Sequence, residues 1–191
     1  MKSTTSPPVD NFDFKAKYDY IKSKVRSIPD WPIKGVIFRD ITTLLEDPRA
    51  FKAICSIFYN RYVNRKVDKI VGIDARGFLF GSVLAYELGI GFVPIRKKGK
   101  LPSKTISESY TLEYGEATIE IHEDAISKSD RVVIIDDLMA TGGTIAASAA
   151  LVEKLGGDLL ECAFVIELPD LKGREKMGNR NCFAIIEFEG E

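Results

Sequence analysis

Apolar and polar positions along the chain follow two periods. Phe51, Ile54, Phe58 and Tyr62 recur every three to four residues, which places them on one face of a helix from Pro48 to Val63. Pro48 suits the first turn of that helix and Asp47 suits its cap. Lys69-Ile70-Val71-Gly72-Ile73 is instead a short, nearly continuous apolar run, as a strand buried on both faces requires. Asp74-Ala75-Arg76-Gly77 then turns into a helical segment, Phe78 to Leu88, stopped by Gly89, and Gly91 to Ile95 is the next strand.

Arg96 to Ser109 breaks this rhythm. It is basic, carries Gly99 and Pro102, shows no period, and reads as a long surface loop of the kind that serves as a lid. Glu108 to Tyr114 and Glu116 to Ile121 alternate like a hairpin around Gly115. Arg131 to Ile135 is the strongest buried-strand signal. Asp136-Asp137, a glycine-bearing turn and an Ala-rich helix from Thr144 to Leu155 follow it, and Gly156-Gly157 ends the helix. Leu159 to Leu168 and Cys182 to Phe188 supply two more strands. Apolar strands alternating with helices predict an α/β fold with a mainly parallel twisted sheet flanked by helices. Residues 1–17, polar at the start and carrying Pro7-Pro8, read as a flexible leader, and residues 18–191 as one domain with a lid at about 96–114.

Composition narrows the classes of partner. The 191 residues hold 27 Lys plus Arg against 28 Asp plus Glu, a net charge of −1, which argues against long polyanions and so against nucleic acid. Three cysteines without a CxxC pair suit a reduced, cytoplasmic chain, and no window approaches a membrane span or a signal peptide. His122, the single histidine, ends an alternating run and reads as an exposed strand-end residue, so neither a His-rich metal cluster nor a serine triad is expected.

In an open α/β sheet ligands bind beyond the carboxyl ends of the strands. Two junctions there carry chemistry. After the strand ending at Ile135, the turn Ala140-Thr141-Gly142-Gly143-Thr144 runs into a helix. Its glycines, successive amides and helix N-terminus can hold a monoester phosphate, with Thr141 and Thr144 as hydroxyl donors. Asp136 and Asp137 would repel that phosphate unless they face something else; vicinal ribose hydroxyls and a hydrated magnesium ion both fit. At the second junction, Arg76 and the turn's amides suit a diphosphate. Neither a Walker A motif nor a GxGxxG fingerprint is present.

The thirteen residues Val132 to Thr144 resemble the phosphoribosyl-pyrophosphate signature of the type I phosphoribosyltransferases. Gly35 to Ile41, Arg76 to Gly81, Arg96 to Pro102, Tyr110 to Gly115 and Leu171 to Lys176 resemble the adenine-specific branch of that family, in the same order. The resemblance spans about Tyr18 to Phe188. It implies the type I phosphoribosyltransferase fold with a flexible lid loop and a short N-terminal hood, and transfer of ribose 5-phosphate from phosphoribosyl pyrophosphate to N9 of adenine, giving AMP and pyrophosphate with Mg²⁺ as cofactor. By the same resemblance, Ala140, Thr141, Gly142, Gly143 and Thr144 hold the 5′-phosphate, and Asp136 and Asp137 face the ribose hydroxyls. Asp74, Ala75, Arg76, Arg96, Lys97 and Lys100 surround pyrophosphate, with a non-proline cis peptide expected between Asp74 and Ala75. Ile37, Phe38 and Arg39 form the adenine pocket, Glu113 acts on N7 of the base, Arg76 is catalytic, and Tyr114 belongs to the lid. No direct protein ligand of the metal is expected; Mg²⁺ sits on pyrophosphate, in reach of Asp136 or Asp137 through water. The family is usually homodimeric, and the apolar helix after Asp47 offers surface for a dimer. Rival readings are a phosphoribosyltransferase for another base, a non-catalytic regulator that keeps the site, and a sugar-phosphate binding module.

Overall fold

The computed structural model describes residues 14–111 and 115–190. Among these residues nine strands and five α-helices follow in order: α1 (Phe14–Ser23), β1 (Arg26–Pro29), β2 (Ile37–Asp40), α2 (Thr42–Leu45), α3 (Pro48–Tyr62), β3 (Lys69–Ile73), α4 (Gly77–Leu88), β4 (Gly91–Lys97), β5 (Thr105–Thr111), β6 (Glu116–His122), β7 (Arg131–Met139), α5 (Gly143–Lys154), β8 (Asp158–Glu167) and β9 (Cys182–Glu187). Helix α1 begins at Phe14, so residues 14–17 belong to a helix rather than to the expected leader.

Seven strands form one sheet in the order β5-β6-β4-β3-β7-β8-β9. The run from β4 to β9 is parallel, while β6 joins β4, and β5 joins β6, antiparallel. Side chains alternate across this sheet. Ile70, Val133 and Ile135 meet α3 and α4 on one face, and Val71, Val132 and Ile134 meet α5 on the other. Burying an isoleucine fully in this way contributes about 2 kcal/mol. The long apolar runs read as two-sided strands are therefore covered on both faces, as parallel sheets require.

Local rules set the element ends. Asp47 caps α3 by accepting from the amides of Arg49 and Ala50, and Gly89 closes α4 at φ 67°. The expected loop from Arg96 to Ser109 is shorter than its composition suggested. Strand β4 continues to Lys97 and β5 starts at Thr105, because Ile106 alternates inward and every residue from Thr105 to Thr111 has a register partner on β6. Only 98–104 connects the two strands. His122 ends β6 as expected but is half-buried, and its Nε2 donates to the carbonyl of Pro102 at 2.5 Å, which ties down that connection.

The N-terminal hood is a two-stranded antiparallel sheet of β1 and β2. Asp40 organises it: its carboxylate accepts from Arg26 across the pair at 2.5 Å and from the amide and hydroxyl of Thr42 at 2.8 and 2.6 Å. The buried Glu161 collects Arg61, Tyr62 and Arg65, joining α3 and the residues after it to β8.

Candidate active site

Strand register brings the sequence-predicted residues to one edge. Gly72 pairs with Ile135 and Ile73 with Ile95, so Asp74 just past β3 comes beside Arg96 near the end of β4 and Asp136 within β7. The Asp74–Ala75 peptide is cis, as the resemblance implied. The Asp74 amide donates to the carbonyl of Ile95 at 2.9 Å, and Arg96 Nε donates to Asp74 Oδ2 at 2.9 Å. Arg96 Nη1 also donates to the carbonyl of Lys100 at 3.0 Å. Arg96 is thus held at the edge by Asp74, while Lys97 and Lys100 occupy an exposed turn closed by the Lys100 amide on the Lys97 carbonyl.

Helix α4 starts almost against β7. A Cβ added to Gly77 would come within 2.5 Å of the carbonyl oxygen of Ile135 and 3.0 Å of Asp136 Oδ1, so only glycine admits this approach. The approach sets Arg76, just before the helix, over the acid pair. Arg76 Nε lies 2.8 Å from Asp137 Oδ2, which is sealed from solvent and accepts no aligned hydrogen bond. The Asp137 amide donates to Asp136 Oδ1 at 2.9 Å. Burial, and then the charge of Asp137, push the Asp136 carboxyl well above its ordinary value; burial also raises Asp137, with Arg76 opposing it. Two carboxylates in so dry a place favour partners that donate protons or carry charge.

At the end of β7 the chain bends through Ala140, Thr141 and Gly142 into α5, around a hollow of about 90 Å³ lined by Asp136, Leu138 and the whole turn from Ala140 to Thr144. Gly142 has φ 80°, which turns the chain into the helix and directs the first amides of α5 toward the hollow. A Cβ on Gly143 would lie 3.1 Å from the Tyr110 ring, so β5 packs directly on the start of α5.

Strand β2 supplies Ile37, Phe38 and Arg39. Phe38 is half-buried, edge-on to Trp31 with ring centroids 4.3 Å apart, and the Arg76 guanidinium stands 5.8 Å from its centroid. Arg76 therefore touches both the acid pair and the aromatic strand. The buried Arg39 directs its side chain away from this edge: Nη1 donates to Ser27 Oγ at 2.7 Å and the guanidinium lies 4.5 Å from the Phe188 centroid.

Glu113 and Tyr114 lie outside the described residues. Sequence reasoning missed three contributors. Trp31 packs on Phe38, while Glu167 and Arg174 form a two-pronged ion pair near the turn at 140–144, with Arg174 Nε and Nη2 at 2.7 and 2.6 Å. No local periodicity marks Glu167, a buried acid at the end of an apolar strand; the nearest signal was that acid itself, where burial without a partner would be costly. Among the described residues no three His, Cys, Asp or Glu side chains cluster as metal ligands. The donor set nevertheless fits Mg²⁺, which retains waters and takes most ligands from phosphate oxygens beside one or two carboxylates.

A mainly parallel sheet with an acid pair, a glycine turn into a helix and a cation at its carboxyl edge is the arrangement of a ligand site in an open α/β fold. Residues 40–191 match the model of the phosphoribosyl transferase domain, and the chain belongs to that family. It is 64% identical over 171 residues to the adenine phosphoribosyltransferase of Desulfosudis oleivorans, covering 90% of this chain and 99% of that one. The crystal structure of adenine phosphoribosyltransferase from Thermoanaerobacter pseudethanolicus is similar at TM-score 0.86 and 50% identity, covering 90% of this chain and 99% of that one. The Saccharomyces cerevisiae enzyme, solved with an imino-altritol bisphosphate and adenine, is similar at TM-score 0.85 and 40% identity over 90% and 99% of the two chains.

Proposed function

We propose that this chain is an adenine phosphoribosyltransferase of purine salvage, converting adenine and phosphoribosyl pyrophosphate to AMP and pyrophosphate. The observation that carries the reading is the placement of Arg76, in contact with Asp137 on one side and the Phe38 ring on the other. One side chain joins the sugar-diphosphate half of the site to the base half.

The chemistry follows from charge. The N9–C1 bond forms as the C1–pyrophosphate bond breaks, so positive charge develops at C1 and negative charge on the leaving group. Arg76, Arg96, Lys97 and Lys100 are the cations assigned to the leaving group, joined by the amides of the 74–77 turn. Asp136 and Asp137 accept from the ribose hydroxyls and the turn 140–144 anchors the 5′-phosphate, so the sugar is held at both ends. Phe38 stacks on adenine, and the backbone of Ile37 and Arg39 reads its edge. Glu113 is assigned to N7 of the base and Tyr114 to the lid, which covers the site from the 98–104 connection and the β5–β6 hairpin and excludes water from the activated sugar. Asp136 or Asp137 would hold Mg²⁺ through water, and the ion would supply charge neutralisation at the pyrophosphate.

A homodimer is part of this reading, through a different surface from the one the sequence suggested. Ile54, Phe58 and Tyr62 of α3 are buried in the chain's own core, whereas Leu79 and Tyr86 of α4, seven residues apart, are 41% and 83% exposed on one face. No helix among the described residues is long and apolar enough to cross a membrane, and all three cysteines are free thiols, which supports a reducing, cytoplasmic setting.

The decisive experiment is product formation from phosphoribosyl pyrophosphate and Mg²⁺ with adenine, hypoxanthine and guanine in parallel. AMP from adenine alone is expected. Equal or better turnover of another base would reassign the specificity, and tight substrate binding with no product would leave a regulator. In the same assay Glu113→Gln is expected to lower kcat; turnover equal to wild type would remove Glu113 from proton handling.

A further inference from the structure

A second glycine lies beneath the turn at 140–144. A Cβ on Gly142 would overlap the carbonyl oxygen of Gly173, and a Cβ on Gly173 would overlap the carbonyl oxygen of Ala140 and lie 3.1 Å from the Gly142 nitrogen. Two backbones therefore touch with no side chain between them. Gly173 opens a five-residue 3-10 helix ending at Met177, an element too short to hold its own position.

The next residue holds it. Arg174 Nε donates to Glu167 Oε1 at 2.7 Å, Nη2 donates to Oε2 at 2.6 Å, and Nη1 donates to the carbonyl of Cys182 at 3.1 Å. Glu167 is nearly sealed while the Arg174 side chain is about half exposed (5% and 49%). Glu167 is in register with Met139, and the Leu168 amide donates to the Met139 carbonyl at 3.0 Å. Met139 is the residue before the turn. The fork thus fixes the floor of the turn to the strand end from which the turn departs.

We propose that Arg174, gripped by Glu167, is a positioning residue for the 5′-phosphate turn: it presses Gly173 against Gly142 and Ala140 and keeps the turn's amides aimed at the phosphate. This rests on reading 140–144 as the 5′-phosphate site. Because Glu167 is nearly sealed, removing Arg174 also leaves a buried carboxylate without its partner and lowers the thermal midpoint, so the positioning role is read in the affinity of the folded variant, where a small displacement of a binding turn costs affinity steeply. The consequence is selective for the substrate half that carries the phosphate.

The test compares Arg174→Ala and Arg174→Lys in the full chain, reading ribose 5-phosphate affinity by calorimetry, KM for each substrate, and the thermal midpoint. For Arg174→Ala, ribose 5-phosphate affinity and the phosphoribosyl pyrophosphate KM should each worsen about tenfold, with the adenine KM within about twofold. Arg174→Lys keeps the charge without the fork and should fall between alanine and wild type. Unchanged ribose 5-phosphate affinity in folded Arg174→Ala, or equal losses for both substrates, overturns the proposal; if the alanine variant does not fold, unchanged affinity in Arg174→Lys does so. Thr141→Ala separates the two readings. Its loss of ribose 5-phosphate binding upholds the phosphate turn whatever Arg174 does, and unchanged binding in Thr141→Ala removes the turn reading and the positioning role together.

Discussion

Arg76 Nε stands 2.8 Å from Asp137 Oδ2, so the cation assigned to the leaving group is tethered to an acid assigned to the sugar. The tether aims a half-exposed guanidinium and leaves its outer donors for a ligand. It also makes Asp137 dependent on Arg76, since removing the arginine leaves a sealed carboxylate without its cation.

Arg76→Lys keeps the charge but loses the planar fork and the reach to the Phe38 ring. Turnover is expected to fall by about 10²-fold, in line with the loss of one preorganised charge donor. Steady-state kinetics checks this, and a kcat within threefold of wild type would reassign leaving-group stabilisation to Arg96 and the lid lysines.

Asp137→Asn removes the partner of Arg76 while keeping the side chain's shape. The phosphoribosyl pyrophosphate KM should rise about tenfold, with the adenine KM nearly constant, because one charge-assisted contact to the sugar and the aim of Arg76 are lost together. Equal changes in both KM values would count against the assignment.

Gly142→Ala forces a Cβ onto the Gly173 carbonyl at a residue with φ 80°. A loss of about 1–3 kcal/mol is expected in denaturant unfolding, together with weakened ribose 5-phosphate binding. A variant as stable as wild type would mean that the turn relaxes freely and that the close approach has no structural consequence.

Phe38→Ala should raise the adenine KM about tenfold and leave the phosphoribosyl pyrophosphate KM within twofold, the loss expected of one stacked ring. The Trp31 ring loses its edge contact in the same variant. A rise in the phosphoribosyl pyrophosphate KM instead would show that Phe38 acts chiefly by supporting Arg76.

Hydrogen bonds from Thr42, then from Arg26, pull the Asp40 carboxyl down to about 2. Its folded value lies below the unfolded one of about 4, so its contribution is whole above that pH and is lost as the pH falls toward 2. The hood should loosen over that range on acidification. Trp31 fluorescence should therefore change between about pH 4 and pH 2, and Asp40→Asn should abolish the pH dependence of that change.

Much of the fold was legible locally. The four-residue spacing from Ile54 to Phe58 to Tyr62, the Asp47 cap and the Gly89 stop determine α3 and the end of α4 through backbone geometry and burial alone. The run Val132 to Ile135 could only be a two-sided strand. The extent of β5 was less legible, because Thr105 to Thr111 alternates weakly and its strand state depends on pairing with β6. The apolar face of α3, which the sequence offered as surface for a dimer, is covered by the chain's own core, because periodicity reveals an apolar face without revealing what covers it.

The sequence by itself determined the order of the main strands and helices from α3 onward, the acid pair that follows Ile135, the glycine turn into α5 and the basic segment at the end of β4, because each follows from local spacing and side-chain chemistry. Only the tertiary structure decided that Arg76 meets Asp137 and Phe38, that Arg39 turns its side chain toward Ser27 and Phe188, and that Gly173 lies under Gly142. Those pairs are far apart in the chain. Their meeting depends on how parallel strands stack in register and how closely glycine lets two backbones approach, which no local pattern encodes.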